Sequence, residues 1–157
     1  VINALAIQDA FISVGIDTVV MSAVEMNAFC EQYTQRDAVR ALECGKVVVF
    51  GCGTGNPFFS TDTGAVLRAA EIGADVILMA KNIDGVYTAD PHKDPSAEKL
   101  SETTYDHILS EHLGVIDMTA ASLAMDNSIP LYIFGLNDPE NIYRVAKGER
   151  IGTKVVK

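Results

Sequence analysis

The chain has 157 residues, 48% hydrophobic and 21% charged, which suits one ordinary globular domain and excludes a disordered or collagen-like chain. Its 12 basic and 21 acidic side chains give a formal net charge of −9, a balance that argues against non-specific nucleic-acid binding because the phosphates would repel it. No apolar run reaches the roughly 18 residues that span a bilayer, no signal-peptide pattern opens the sequence, and Cys30, Cys44 and Cys52, without CxxC spacing, read as reduced thiols of a cytoplasmic protein.

In chain order, residues 1–14 read as an amphipathic helix, with Ile2, Leu5, Ala6, Asp9, Ala10 and Ile12 near one face. No N-cap residue precedes it, so a removed upstream segment is expected. Residues 17–22 form a β-branched strand, and residues 34–43 a helix ending at Cys44-Gly45. The run KVVVF at 46–50 suits a strand buried on both faces of a parallel sheet. A glycine-rich loop follows, then a helix over 61–72 with Ser60 or Thr61 as its cap. Residues 75–80 read as a second buried strand and 81–95 as a loop. Helices are expected near 105–111, 119–126 and 139–147, and strands at 130–134 and 152–156. Alternating helices and apolar strands predict an α/β three-layer αβα sandwich with a mainly parallel sheet. Ligands of such sheets bind beyond the carboxyl ends of the strands.

Two loops stand there. The first, residues 51–62, reads GCGTGNPFFSTD. Its glycines permit positive φ and close backbone approach. Thr54 and Asn56 offer a hydroxyl and an amide, and the helix start at Thr61 is a natural anion seat. Phe58 and Phe59 could flank a planar base, or could lie in the core of a tight strand-to-helix turn. Neither a Walker GxxxxGK[ST] nor a GxGxxG order is present. The second loop, KNIDGVYTADP at 81–91, places Tyr87 three residues before Asp90. It reads either as a base-and-ribose contact or as a surface turn. Asp62, at a helix start, and Asp117, before the helical run, are the candidate carboxylates for phosphoryl chemistry. Helix capping explains both equally well. His92, His107 and His112 share no ligand spacing, so no metal site is expected from them.

The stretches ALAIQDAF, VVVFGCGTGNPFFSTD, ADVILMAKNIDGVYTADPHKDPSA, GVIDMTAASLAMDNSIPLYIF and GERIGT run over nearly the whole chain in family order. Through them the chain resembles the bacterial UMP kinases, a branch of the amino acid kinase family. The resemblance implies that Thr54, Gly55, Asn56, Pro57, Phe58, Phe59, Ser60 and Thr61 form the UMP-binding loop. It puts Tyr87 and Asp90, with Lys81 or Asn82, at the ATP adenine and ribose, and Asp62 and Asp117 near the transferred phosphate. It implies the reaction of ATP and Mg²⁺ with UMP to give ADP and UDP, a step of pyrimidine nucleotide biosynthesis. It also implies a cytoplasmic homohexamer, inhibited by UTP and activated by GTP, with no nucleic acid or membrane partner. Ser60 stands where many members have Thr. The family's KxSGE strand-loop, its GGGN loop, and an arginine and aspartate of its N-terminal part are not among these residues. Residues 1–157 are therefore expected to be the C-terminal two-thirds of a single amino acid kinase domain, N-terminal part missing, and to be inactive alone. Two alternatives stand beside this. One is a family member acting on a carboxylate or carbamate, which would have no base for the phenylalanines to flank. The other is a non-catalytic nucleotide-binding or storage protein of the same fold. Thr54, Asn56, Asp62 and Asp117 together favour the enzyme.

Overall fold

The computed structural model describes residues 1–91 and 93–157, and His92 lies outside them. The chain divides into two compact units, residues 1–64 and 65–157.

The first unit contains α1 (Ile2–Ser13), β1 (Thr18–Ser22), β2 (Glu31–Gln32), α2 (Gln35–Glu43) and β3 (Val47–Gly51). Its sheet has the order β2-β1-β3, every pair parallel, with Thr18 opposite Val47 and Ser22 opposite Gly51. The central strand β1 buries Val20, Met21 and Ser22. By contrast β3 is half-buried from Val47 to Phe50, which corrects the expectation of a strand buried on both faces. It is an edge strand of its sheet, so only one neighbour covers its backbone. Helix α1 packs on β1 and β3, and α2 packs on β3. The face that α1 turns inward is also not the expected one. Ala4 is buried, with Leu5, Gln8 and Phe11 half-buried, while Ile2, Ala6, Ile7, Asp9, Ala10 and Ile12 are exposed. A helix apolar nearly all round carries no periodic signal to choose its face. Gln8 fixes the register by donating from Nε2 to the Thr18 carbonyl at 2.9 Å. Thr34 caps α2, its Oγ1 accepting the Asp37 N–H at 3.1 Å.

Helix α3 (Thr61–Ile72) leads from the first unit into the second, which holds β4 (Ile77–Lys81), β5 (Val86–Tyr87), β6 (Lys99–Leu100), β7 (Glu102–Thr104), α4 (Tyr105–Ser110), α5 (Met118–Asp126), β8 (Leu131–Gly135), α6 (Glu140–Ala146) and β9 (Thr153–Val156). The four-stranded sheet has the order β4-β8-β9-β7, with β4–β8 and β7–β9 parallel and β8–β9 antiparallel. A separate antiparallel ribbon pairs β5 with β6. Its core gathers Val66, Met79, Tyr105, Ile108, Leu131, Ile133 and Val155 with the alanine face Ala120, Ala121 and Ala124 of α5. Strand β4 buries Ile77 and Met79 but exposes Leu78, again as an edge strand. Four of the six strand pairs among the described residues are parallel, so the chain is mixed α/β with parallel-dominated sheets. Among the described residues no helix is long and apolar enough to cross a membrane.

Tyr105 gives the second unit a pH limit. Its side chain is fully buried and its hydroxyl donates to the Ile129 carbonyl at 2.7 Å. Burial pushes the phenol up to about 12. The unfolded chain releases this proton near pH 10 and the folded chain holds it. The contribution, about 2–3 kcal/mol, is therefore complete below pH 10 and is lost as pH rises to about 12. Denaturant midpoints measured from pH 8 to 12 should fall across that window, and Tyr105→Phe should flatten the fall. An unchanged slope in the variant would exclude Tyr105 as its source.

Candidate functional site

The 51–62 loop springs from the end of β3. Cys52, Gly53, Gly55 and Phe58 all take positive φ, from 57° to 76°, so the chain folds back in tight steps. Gly55 is required there, because a Cβ would meet the Ala23 carbonyl oxygen at 3.0 Å and Ala23 Cβ at 3.2 Å. The Thr54 Oγ1 accepts the Asn56 N–H at 3.1 Å, and Asn56 Nδ2 donates to the Thr54 carbonyl at 3.3 Å. Together they lock a small polar turn at the surface. Phe58 is fully exposed and Phe59 half-exposed, at 104% and 53%. This overturns the reading that places them in a core. Ser60, rather than Thr61, caps α3: its Oγ accepts the Thr63 N–H at 3.1 Å. Pro57 and Thr61 are exposed, and Asp62 lies half-buried in the first turn of α3, where the helix dipole favours an anion or an acidic side chain. Gly64 faces the same loop, since a Cβ there would lie 3.2 Å from Gly53.

The 81–95 segment belongs to the second unit and is not a plain loop, because it contains β5, which pairs with β6 further along the chain. Tyr87 stands opposite Lys99. The Tyr87 hydroxyl donates to Asp84 Oδ1 at 2.8 Å, and Lys99 Nζ donates to Asp84 Oδ2 at 2.9 Å. The Lys99 hydrogen bond, helped by that from Tyr87 against some desolvation, holds the Asp84 carboxyl below the ordinary carboxylate range. The bond to Asp84 in turn raises the Tyr87 phenol. Asp90 turns the chain, its carbonyl accepting the Lys93 and Asp94 N–H groups at 3.0 and 2.9 Å, and its side chain pairs with exposed Lys93 at 3.4 Å. Asn82 is exposed, whereas half-buried Lys81 donates from Nζ to the Val115 carbonyl at 2.7 Å. That carbonyl lies two residues before Asp117. Asp117 is the N-cap of α5, its Oδ1 accepting the Ala120 N–H at 2.9 Å.

The candidate residues thus fall into two sets. Thr54 to Asp62 share one loop and helix start of the first unit, and Tyr87, Asp90, Lys81 and Asp117 lie in the second. Sequence reasoning missed Asp84 as more than a turn residue and did not single out Lys99. The signal for the pair was the cross-strand register of a two-residue ribbon, too short for any periodicity. His107 and His112 are exposed. Among the described residues all three cysteines are free, and no three His, Cys, Asp or Glu side chains gather as a metal cage.

Similarity to solved structures covers both sets. A UMP kinase from Bacillus anthracis superposes with a TM-score of 0.93 at 35% identity over 99% of this chain and 64% of its own. A UMP kinase from Ureaplasma parvum gives 0.92 at 35% identity over 99% of this chain and 67% of its own. A uridylate kinase from Archaeoglobus fulgidus gives 0.67 at 37% identity over 78% of this chain and 58% of its own. The chain therefore spans 64% of the length of the Bacillus protein it resembles. The parallel-dominated α/β architecture is the one these kinases share. Residues 1–135 also match the family model described as "Amino acid kinase family". With both loops inside that match and the fold in common, the chain belongs to the amino acid kinase family.

Proposed function

We propose that the protein transfers the γ-phosphoryl group of ATP to UMP, giving ADP and UDP. The observation that carries this reading is the 51–62 loop. It leaves two phenylalanines in solvent beside a polar turn and a helix N-terminus, an arrangement that suits a ligand with a planar base at one end and a phosphate at the other. The 35% identity to UMP kinases over 99% of the chain supports it. In this reading Thr54, Gly55, Asn56, Pro57, Phe58, Phe59, Ser60 and Thr61 hold UMP. Tyr87 and Asp90 take the adenosine of ATP, with Lys81 or Asn82 beside them. Residues 1–157 form part of one amino acid kinase domain. A hexamer, UTP inhibition, GTP activation and a cytoplasmic place in pyrimidine synthesis go with the reading on the likeness alone.

The protein's task in phosphoryl transfer is alignment and charge control, since the transition state is loose and in-line. The glycine turn holds the acceptor phosphate through backbone N–H groups, whose geometry is set before substrate arrives. The phenylalanines desolvate the base. Asp62, in the first turn of α3, and Asp117, fixed by its own helix, present carboxylates that do not have to be ordered during the reaction. Each carboxylate, taken by itself, would offer Mg²⁺ a hard oxygen donor. Mg²⁺ keeps water and phosphate oxygens and takes only one or two carboxylates, so single aspartates suit it. When bound, Mg²⁺ neutralises charge on the β- and γ-phosphate oxygens.

A coupled ADP-release assay of the natural full-length protein with UMP, CMP and dTMP tests the reading. The kcat/KM for UMP should exceed that for CMP by about 100-fold or more, because a site built around one base edge leaves its donors and acceptors unpaired with another. Comparable values for CMP and UMP would sink the assignment of the acceptor.

A further inference from the structure

Tyr87 is a half-buried aromatic side chain whose hydroxyl is held by Asp84, and this anchor is separate from the residues assigned to nucleotide contact. Asp84 receives Tyr87 on one carboxylate oxygen and Lys99 on the other, at 2.8 and 2.9 Å. Tyr87 and Lys99 are direct cross-strand partners on β5 and β6, so their side chains leave the ribbon on one face. The route of the lysine stem is built in: a Cβ on Gly85 would lie 2.9 Å from Lys99 Cε and 2.8 Å from the Thr153 hydroxyl. Gly135 leaves room for Asp84, since an added Cβ there would lie 3.1 Å from the Asp84 Cβ. The ribbon itself is tied to the sheet through buried Thr153, whose Oγ1 accepts the Val86 N–H at 2.8 Å.

We propose that Asp84 and Lys99 are positioning residues for Tyr87, fixing its hydroxyl so that the ring stands as a preordered platform for the adenine of the donor nucleotide. This rests on the assignment of Tyr87 to the ATP site. With the hydroxyl committed to Asp84, the ring no longer turns freely about its side-chain bonds, and ATP does not have to order it on binding. Lys99 neutralises Asp84, so the anchor adds no net repulsion toward a polyanionic ligand. A carboxylate alone would hold the phenol but oppose the phosphates.

The test uses the natural full-length protein with Asp84→Ala, Lys99→Met, Tyr87→Phe and Tyr87→Ala, reading ATP affinity by calorimetry, KM for ATP, kcat and the alkaline titration of the tyrosine by near-ultraviolet absorbance. Lys99→Met keeps most of the stem over Gly85 and removes the ammonium together with its hydrogen bond to Asp84. Asp84→Ala, Lys99→Met and Tyr87→Phe should each weaken ATP binding about three- to tenfold, the scale of one side chain left to be ordered on binding, with kcat little changed. Asp84→Ala should move the Tyr87 titration down toward the ordinary tyrosine range. The Asp84→Ala/Tyr87→Phe double variant should bind no more weakly than either single one. If Tyr87→Phe and Asp84→Ala bind ATP normally while Tyr87→Ala does not, the anchor is wrong and the ATP-site assignment stands. If Tyr87→Ala also binds normally, the ATP-site assignment itself fails. Loss of thermal stability with unchanged ATP affinity would make the pair a staple of the ribbon and overturn the proposal.

Discussion

Asp117→Asn in the natural full-length protein should lower kcat for UMP phosphorylation by about 10²- to 10³-fold, the usual size of one lost electrostatic contribution to a charged transition state. Apparent affinity for UMP should move by no more than about threefold. The substitution separates the cap that the structure shows from the role near the transferred phosphate that the proposed function gives the same side chain. Asp117 caps α5 through Oδ1 and the Ala120 N–H at 2.9 Å, and asparagine caps a helix about as well as aspartate. The fold and the position of the side chain are therefore retained, and only the charge is lost. If Asp117 were a cap alone, Asp117→Asn would be almost silent, while Asp117→Ala would cost about 1 kcal/mol of stability. Single-turnover rates and equilibrium UMP binding on both variants decide between the two. A KM effect without a kcat effect would return Asp117 to the helix.

Gly152→Ala should be the most damaging single methyl in the second unit. Gly152 leads into β9 at φ +82°, and an added Cβ would drive into the Ile133 carbonyl oxygen and lie 2.9 Å from the Phe134 Cβ. Those atoms belong to β8, whose Leu131 and Ile133 are wholly buried, so the neighbour cannot yield without disturbing the core. The left-handed backbone costs an L-residue about 1–2 kcal/mol, and overpacking adds about 1–3 kcal/mol. Together these approach half of the stability of an ordinary domain. Urea unfolding should show a sharply lower midpoint with an unchanged slope. A change under about 0.5 kcal/mol would mean that the β8–β9 junction relaxes more easily than its geometry allows.

The sequence by itself determined the elements that carry strong local chemistry. The 61–72 helix begins where a serine, an acidic first turn and an apolar face coincide, and DTVVMS and PLYIF are strands because β-branched and aromatic runs of that length fit a pleated sheet. The helix starts at Asp62 and Asp117 were legible because a first-turn or capping carboxylate lies within a few residues of the turn it serves. Tertiary structure alone decided the rest. The inward face of α1 was set by docking on β1 and β3, since its residues are apolar on every side. The antiparallel return of β9 against β8, and the burial of β3 and β4 on fewer sides than their composition suggests, depend on which strand lies next to which. That choice is made by long-range packing and hydrogen bonding, which no local window contains. The Asp84–Lys99–Tyr87 anchor is of the same kind: 15 residues separate Asp84 from Lys99, and only the β5–β6 register brings the ammonium to the carboxylate.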